Sequence, residues 1–184
     1  MFPHTLNREE IISQIERAFR RVERPGITLR VARGIDDNRL DELPRLERED
    51  DHYRNWSSIP NEDITKFWDV FPWLCPVGFR FYLPAYMTHS LRTSSRLIDE
   101  LWLRSAFGDA LFRDGNMEAL DEAQIDATLN FLTAAFLSIP DDYHRDWWNY
   151  PWDKDWADDA EKEQVWRTFG GAFCSLKKKR DRQS

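Results

Sequence analysis

Side chains that catalyse reactions or bind metal ions are present in this sequence, but their spacing matches no arrangement suited to either task. Metal sites and nucleophilic catalysis need histidine, cysteine or serine groups at defined intervals. No two histidines stand at metal-ligand spacing, and the chain has no Cys-x-x-Cys, His-Glu-x-x-His or Gly-x-Ser-x-Gly motif. We therefore predict no catalytic residue, no metal site and no cofactor. The residues weighed for these roles are His4, His52, His89, His144, Cys75, Cys174, Ser57, Ser58, Ser94 and Ser95, with the acidic pairs Asp36-Asp37 and Asp158-Asp159, which are typical of a solvated surface.

An aromatic stretch, GFRFYLPAYM at 78–87, is the one place where a small-molecule pocket is conceivable. Tyr82 and Tyr86 lie in it, and His89 follows closely as a possible general acid or base. This alternative function, a small-molecule-binding protein or an enzyme, requires a concave cavity with convergent polar groups. The competing interpretation is that the stretch packs in the centre of a helical domain.

Pro84 interrupts the same stretch and limits its geometry. Proline cannot donate a helical hydrogen bond, and its ring crowds the preceding turn. Either a helix starts near Leu83 with Pro84 at its first position, or a longer helix bends there. In both cases the tyrosines need hydrogen-bond partners, and backbone groups freed by the proline are candidates.

Acidic and aromatic residues alternate between 141 and 163, where nine acids stand against three basic residues. Tryptophan supplies rigid contact area, and carboxylates complement lysine and arginine. The pattern predicts an interface for a basic protein partner. Two alternatives remain: the tryptophans fold back on the core, or they stack on carbohydrate. The predicted partner-binding residues are Trp147, Trp148, Trp152, Asp153, Asp155 and Trp156.

The overall charge and hydropathy exclude other classes of protein. A net charge of −7 argues against nucleic-acid binding, which needs clustered lysine and arginine. The N-terminus lacks the features of a signal peptide, and no apolar run is long enough to span a membrane. We therefore expect a cytoplasmic protein with no nucleic-acid or membrane partner. Two cysteines far apart make no disulfide framework, and both are expected to be buried free thiols.

Apolar spacing predicts an all-α protein, a single-domain bundle of five to seven helices with at most one short extended segment. Alternation at 27–32 suggests that segment, and 36–51 reads as a loop or short helical turns. The domain is expected over 1–176, with a basic, frayed tail at 177–184. Helices are predicted near 7–22, 61–71, 97–108, 120–138 and 158–169. Asn7 is expected to cap the first and Asn61 the second, whose apolar face includes Trp68. Asp121 and Gln124 are expected to form a capping box for the fourth helix, and Gly170-Gly171 to end the fifth.

Three stretches resemble an uncharacterised family of small bacterial helical proteins. They are IISQIERAFRRVERPG, FRFYLPAYM and LDEAQIDATLNFL, of which FYLPAYM is the most specific. The resemblance implies a helical fold and assigns no catalytic residues. Such proteins are similar in style to the immunity proteins of bacterial toxin systems.

The function predicted from these observations is a non-enzymatic, cytoplasmic protein-binding module. Its most concrete form is an immunity protein that neutralises a cognate toxin. A purely structural subunit is a third possibility, and it predicts a stable homo-oligomer without any other partner.

Overall fold

The computed structural model of this chain describes residues 7–49, 53–94, 101–113, 115–137 and 160–183. Within these ranges the chain is helical and contains no strand, so the predicted all-α bundle is confirmed. A π-helix covers Arg104–Ala110, and short 3-10 turns cover Leu40–Glu42, Trp56–Ser58 and Phe71–Trp73. The α-helices are α1 (Arg8–Ala18), α2 (Leu29–Asp36), α3 (Leu43–Glu49), α4 (Asn61–Lys66), α5 (Pro76–Thr93), α6 (Leu101–Leu103), α7 (Glu122–Leu137) and α8 (Ala160–Gln183).

Helix α5 is the centre of the fold. It starts with Pro76 in its first turn and runs through Pro84, so the longer of the two expected helices is the one that forms. Most of its side chains are buried, on all sides of the helix. Helix α1 packs against both α5 and α7, and α8 packs against α7 and the π-helix. The stretch GFRFYLPAYM therefore belongs to the core.

The hydroxyl of Tyr86 links α5 to the chain that precedes it. This side chain is fully buried, and its hydroxyl donates to the backbone carbonyl of Phe67 at 2.7 Å. The Tyr86 ring also lies edge-on to Phe71, with centroids 4.8 Å apart. The acceptor is thus outside α5, and not a carbonyl freed by Pro84. Burial raises the pKa of Tyr86 well above its usual value.

Two predicted helix caps are confirmed, and one is wrong. The Asn7 side chain accepts from the backbone of Glu9 at 3.1 Å. Asp121 and Gln124 form a reciprocal capping box, with bonds of 2.9 and 3.2 Å. Asn61 instead occupies the first position of α4 and uses its side-chain oxygen at His89.

The segment expected to be extended, at 27–32, is mostly helical. Helix α2 begins at Leu29, and the Thr28 hydroxyl accepts from the backbone of Val31 at 3.2 Å. An alternation over six residues is too short to distinguish a strand from a short helix. Tertiary contacts decide which of the two forms. Here the arginines of α2 reach acidic partners: Arg30 forms two hydrogen bonds with Asp63.

Helix α8 is longer than the sequence predicted. The helix does not end at Gly170-Gly171 and continues to Gln183, so the expected break and frayed tail are wrong for these residues. Leu176 is buried, and the Lys179 ammonium donates to two carbonyls in the turn before α7, including that of Leu120 at 2.8 Å. Desolvation lowers the pKa of Lys179. A domain boundary at residue 176 stays a prediction.

Replacing Gly171 by alanine is expected to stabilise the protein. An added Cβ would lie 3.8 Å from the ring of Phe112, which is ordinary van der Waals contact. Alanine inside a helix is favoured over glycine by about 0.5–1 kcal/mol. Urea unfolding should therefore show a higher free energy of unfolding for Gly171→Ala.

The matched control is Gly115→Ala, at a residue with φ of +84°. That conformation strains any L side chain, and the new Cβ would approach Pro76 to 3.1 Å. This variant should lose about 1 kcal/mol or more. Equal changes in the free energy of unfolding for the two variants would contradict the helical conformation assigned to Gly171 and the strained conformation assigned to Gly115.

Tyr86→Phe is expected to cost about 1–2 kcal/mol at neutral pH, since the carbonyl of Phe67 loses its donor. The effect should shrink in alkali. A tyrosine whose folded pKa is raised stabilises the fold below the unfolded pKa of about 10, and that contribution is lost as pH rises. Urea unfolding from pH 8 to 11 should show the two proteins converging above about pH 10.

A difference that stays constant across this range would show that Tyr86 ionises as easily in the fold as in the unfolded chain. Trp68→Phe is the control, because this exposed side chain carries no titratable group and its effect should not change with pH.

Candidate binding surface

The three residues named for the alternative pocket lie in different surroundings. Tyr82 and Tyr86 are packed in the core, while His89 is half-buried and places its Nδ1 3.1 Å from the Asn61 side-chain oxygen. Burial keeps the two tyrosines away from the surface. The enzyme or small-molecule interpretation stays a prediction.

Of the acidic pairs weighed for chemistry, Asp36-Asp37 takes part in surface ion pairs, whereas Asp158-Asp159 lies outside the described residues, as do His4, His52, His144 and Ser95. Asp36 pairs with Arg33 at 3.1 Å, and Asp37 lies 3.8 Å from Arg39. Hydrogen bonds from Arg39 and Arg45 lower the pKa of the neighbouring Glu42 to about 2. Across the described ranges no cluster of histidine, cysteine and acidic residues is placed to hold a metal ion.

Both cysteines are less buried than expected. Both are free, as predicted. Cys75 is half-buried at the start of α5, whereas Cys174 is exposed on α8, so the prediction of a buried thiol is wrong there. An apolar neighbourhood in the sequence did not reveal that Cys174 falls on the outer side of its helix.

The segment between α7 and α8 carries the predicted interface. All six of its predicted residues, Trp147, Trp148, Trp152, Asp153, Asp155 and Trp156, lie outside the described residues. Their role in partner binding stays a prediction. Of the helices in the described part of the chain, none has the length and apolar character needed to cross a bilayer.

Exposed tryptophans occur instead in FWDVFPWLC, residues 67–75, between α4 and α5. Phe67 and Phe71 are buried, whereas Trp68 and Trp73 keep 41% and 38% of their surface exposed. The prediction that Trp68 shares a buried helical face with Phe67 is wrong, because α4 ends at Lys66. Buried neighbours hold both indoles on a fixed backbone, which suits them to binding a partner.

Arg113 connects Trp73 to the turn that follows the π-helix. Its guanidinium donates to the carbonyl of Pro72 and lies 5.9 Å from the centre of the Trp73 ring. The preceding residue, Phe112, is 47% exposed. Arg113 thus lies against one exposed aromatic ring, that of Trp73, and directly follows another exposed aromatic residue in the sequence.

Helix α8 extends this surface. Gly171 lies beside the ring of Phe112, and Cys174, Lys178 and Arg182 follow at intervals of three and four residues, which places them on the same side of the helix. All three are exposed, and no carboxylate in the described ranges pairs with either cation. We call the surface formed by Trp73, Phe112, Arg113, Cys174, Lys178 and Arg182 the cationic–aromatic face.

Sequence reasoning missed this face because its residues are far apart along the chain. Trp73 stands among apolar residues, and Lys178 belongs to a run taken for a frayed tail. One signal was present: nine tryptophans are more than the core of a small domain is expected to bury.

Of the comparisons with known proteins, the one with family models gave a match. Neither the curated proteins nor the solved structures gave a match. A family model described as "Family of unknown function (DUF6714)" matches residues 7–160, from the start of α1 to the start of α8. Since this match spans more than half of the chain, the protein belongs to that family.

Proposed function

We propose that this protein is a non-enzymatic protein-binding module of the bacterial cytoplasm, and that it serves as an immunity protein neutralising a cognate toxin. The observation that carries the proposal is the exposure of large aromatic side chains, Trp68, Trp73 and Phe112, on a tightly packed framework. Tryptophan is enriched among the residues that dominate binding energy at interfaces.

Rigidity makes these aromatic groups effective anchors. Binding a partner costs conformational entropy for every side chain that must be ordered. Trp73 follows the buried Phe71, precedes the buried Leu74, and has Arg113 against its ring. Little further ordering is needed when a partner covers it.

Electrostatics favour a basic partner. Residues 141–163 carry nine acids and three basic residues, close to the whole net charge of −7. An acidic stretch of this kind steers a basic protein into contact and raises the association rate. Neutralising a toxin whose working surface is basic requires this complementarity.

The described ionisable groups support a binding role over catalysis. Arg30 and Asp63 join α2 to α4, with the Tyr53 hydroxyl also donating to Asp63. Arg33 reaches Asp69 in the stretch that follows α4. These charges are engaged in holding helices together.

The proposal predicts that a basic toxin encoded beside this gene forms a complex with the protein. Trp73→Ala should weaken that complex about 30-fold or more, as loss of an interface anchor costs about 2 kcal/mol. Replacing Asp153 and Asp155 by asparagine should slow association and flatten its dependence on salt. Surface plasmon resonance measures both quantities.

Leu40→Ala provides the control, since this exposed side chain lies before α3 and outside the cationic–aromatic face. Its affinity should be unchanged. The proposal is overturned if the co-expressed neighbour does not bind, or if the tryptophan and aspartate variants bind as well as the wild type. A stable homo-oligomer in light scattering, with no other partner, would favour a structural subunit.

A further inference from the structure

Two parts of this chain carry opposite charge. Residues 138–159, between α7 and α8, contain seven acids and two basic residues, by count from the sequence. On α8, residues 177–182 contain five basic residues and one acid. Lys178 and Arg182 are exposed there without an acidic partner in the described ranges.

We propose that the acidic, tryptophan-rich segment 141–159 binds the cationic–aromatic face of its own chain when no other protein is bound. The inference rests on the proposed function, because it concerns the segment expected to contact the partner. It goes further by proposing that this segment also covers the cationic–aromatic face, which is exposed in the described part of the structure.

The chemistry of the two surfaces is complementary. The segment offers carboxylates to Arg113, Lys178 and Arg182, and it offers indole rings for cation–π contacts with the same groups. Its tryptophans also match the exposed ring of Phe112. Exposed pairs are individually weak, so the contact depends on several formed together.

The chain is long enough for this contact. The 22 residues at 138–159 span at most about 75 Å when extended. Along α8, Arg182 lies only about 33 Å from Ala160. Tethering by a short connection gives an effective concentration on the order of millimolar, which populates even a weak contact.

When segment 141–159 is bound to its own chain, a basic partner must displace it before binding. The partner's cations would replace those of Lys178 and Arg182 on the same carboxylates. Recognition then becomes an exchange of one set of ionic contacts for another, which disfavours weakly basic proteins. Neutralising the cations of α8 should release the segment.

Cys174 lies on the face and reports on the contact directly. In a Cys75→Ser background it is the only thiol. Its reaction with a small neutral disulfide reagent should be slow in low salt. The double variant Lys178→Gln/Arg182→Gln should react about two- to tenfold faster, because a tethered contact of modest affinity protects by its occupancy.

The matched control is Arg92→Gln, which removes an exposed arginine on α5 that pairs with Glu16. It should leave the thiol rate unchanged. Since charge alone alters thiol reactivity, a second measurement uses a tryptophan-quenched fluorophore on Cys174. Replacing Trp147, Trp148, Trp152 and Trp156 by phenylalanine should abolish the quenching, and high salt should weaken it.

Equal thiol rates and equal fluorescence in all variants would overturn the proposal. Quenching that grows with protein concentration would also overturn it, in favour of a second copy as occupant. Circular dichroism confirms that each variant keeps its helices. Because no partner is added, these outcomes are independent of whether the toxin complex forms.

Discussion

The burial of helix α5 on all sides is the constraint on which the rest of the structure depends. Its residues Phe79, Phe81, Leu83 and Met87 point in several directions and are all inaccessible to water. A helix that is apolar all round must be covered all round. Pro84 is tolerated inside it, and the hydroxyl of Thr88 donates to the proline's carbonyl at 2.8 Å. The other elements are arranged as that cover.

Covering α5 determines where the surface aromatics fall. Residues 67–75 must place Phe67 and Phe71 against α5, and the Tyr86 hydroxyl fixes the carbonyl of Phe67. The backbone that buries these rings turns Trp68 and Trp73 outward. The same packing that stabilises the core thus presents rigid indoles at the surface, and the proposed binding function uses them.

The cationic–aromatic face joins three elements that only packing brings together. The turn after the π-helix supplies Phe112 and Arg113, the stretch before α5 supplies Trp73, and α8 supplies exposed cations. Lys179 secures the arrangement through the carbonyls of the turn before α7. Segment 141–159 of the same chain is acidic in sequence. Under our proposal, this opposition of charge selects a strongly basic partner.

Local chemistry determined much of this fold. The caps at Asn7 and Asp121, the amphipathic helices they start, and the helical identity of the bundle follow from neighbouring residues, because capping and helical periodicity act over three or four positions. Tertiary structure alone decided that 29–36 is a helix, that α8 passes through Gly170-Gly171, and that Trp68, Trp73 and Cys174 face outward. Each depends on contacts with distant residues, such as Arg30 with Asp63 or Lys179 with Leu120, and such contacts override weak local preferences by about a kilocalorie or more.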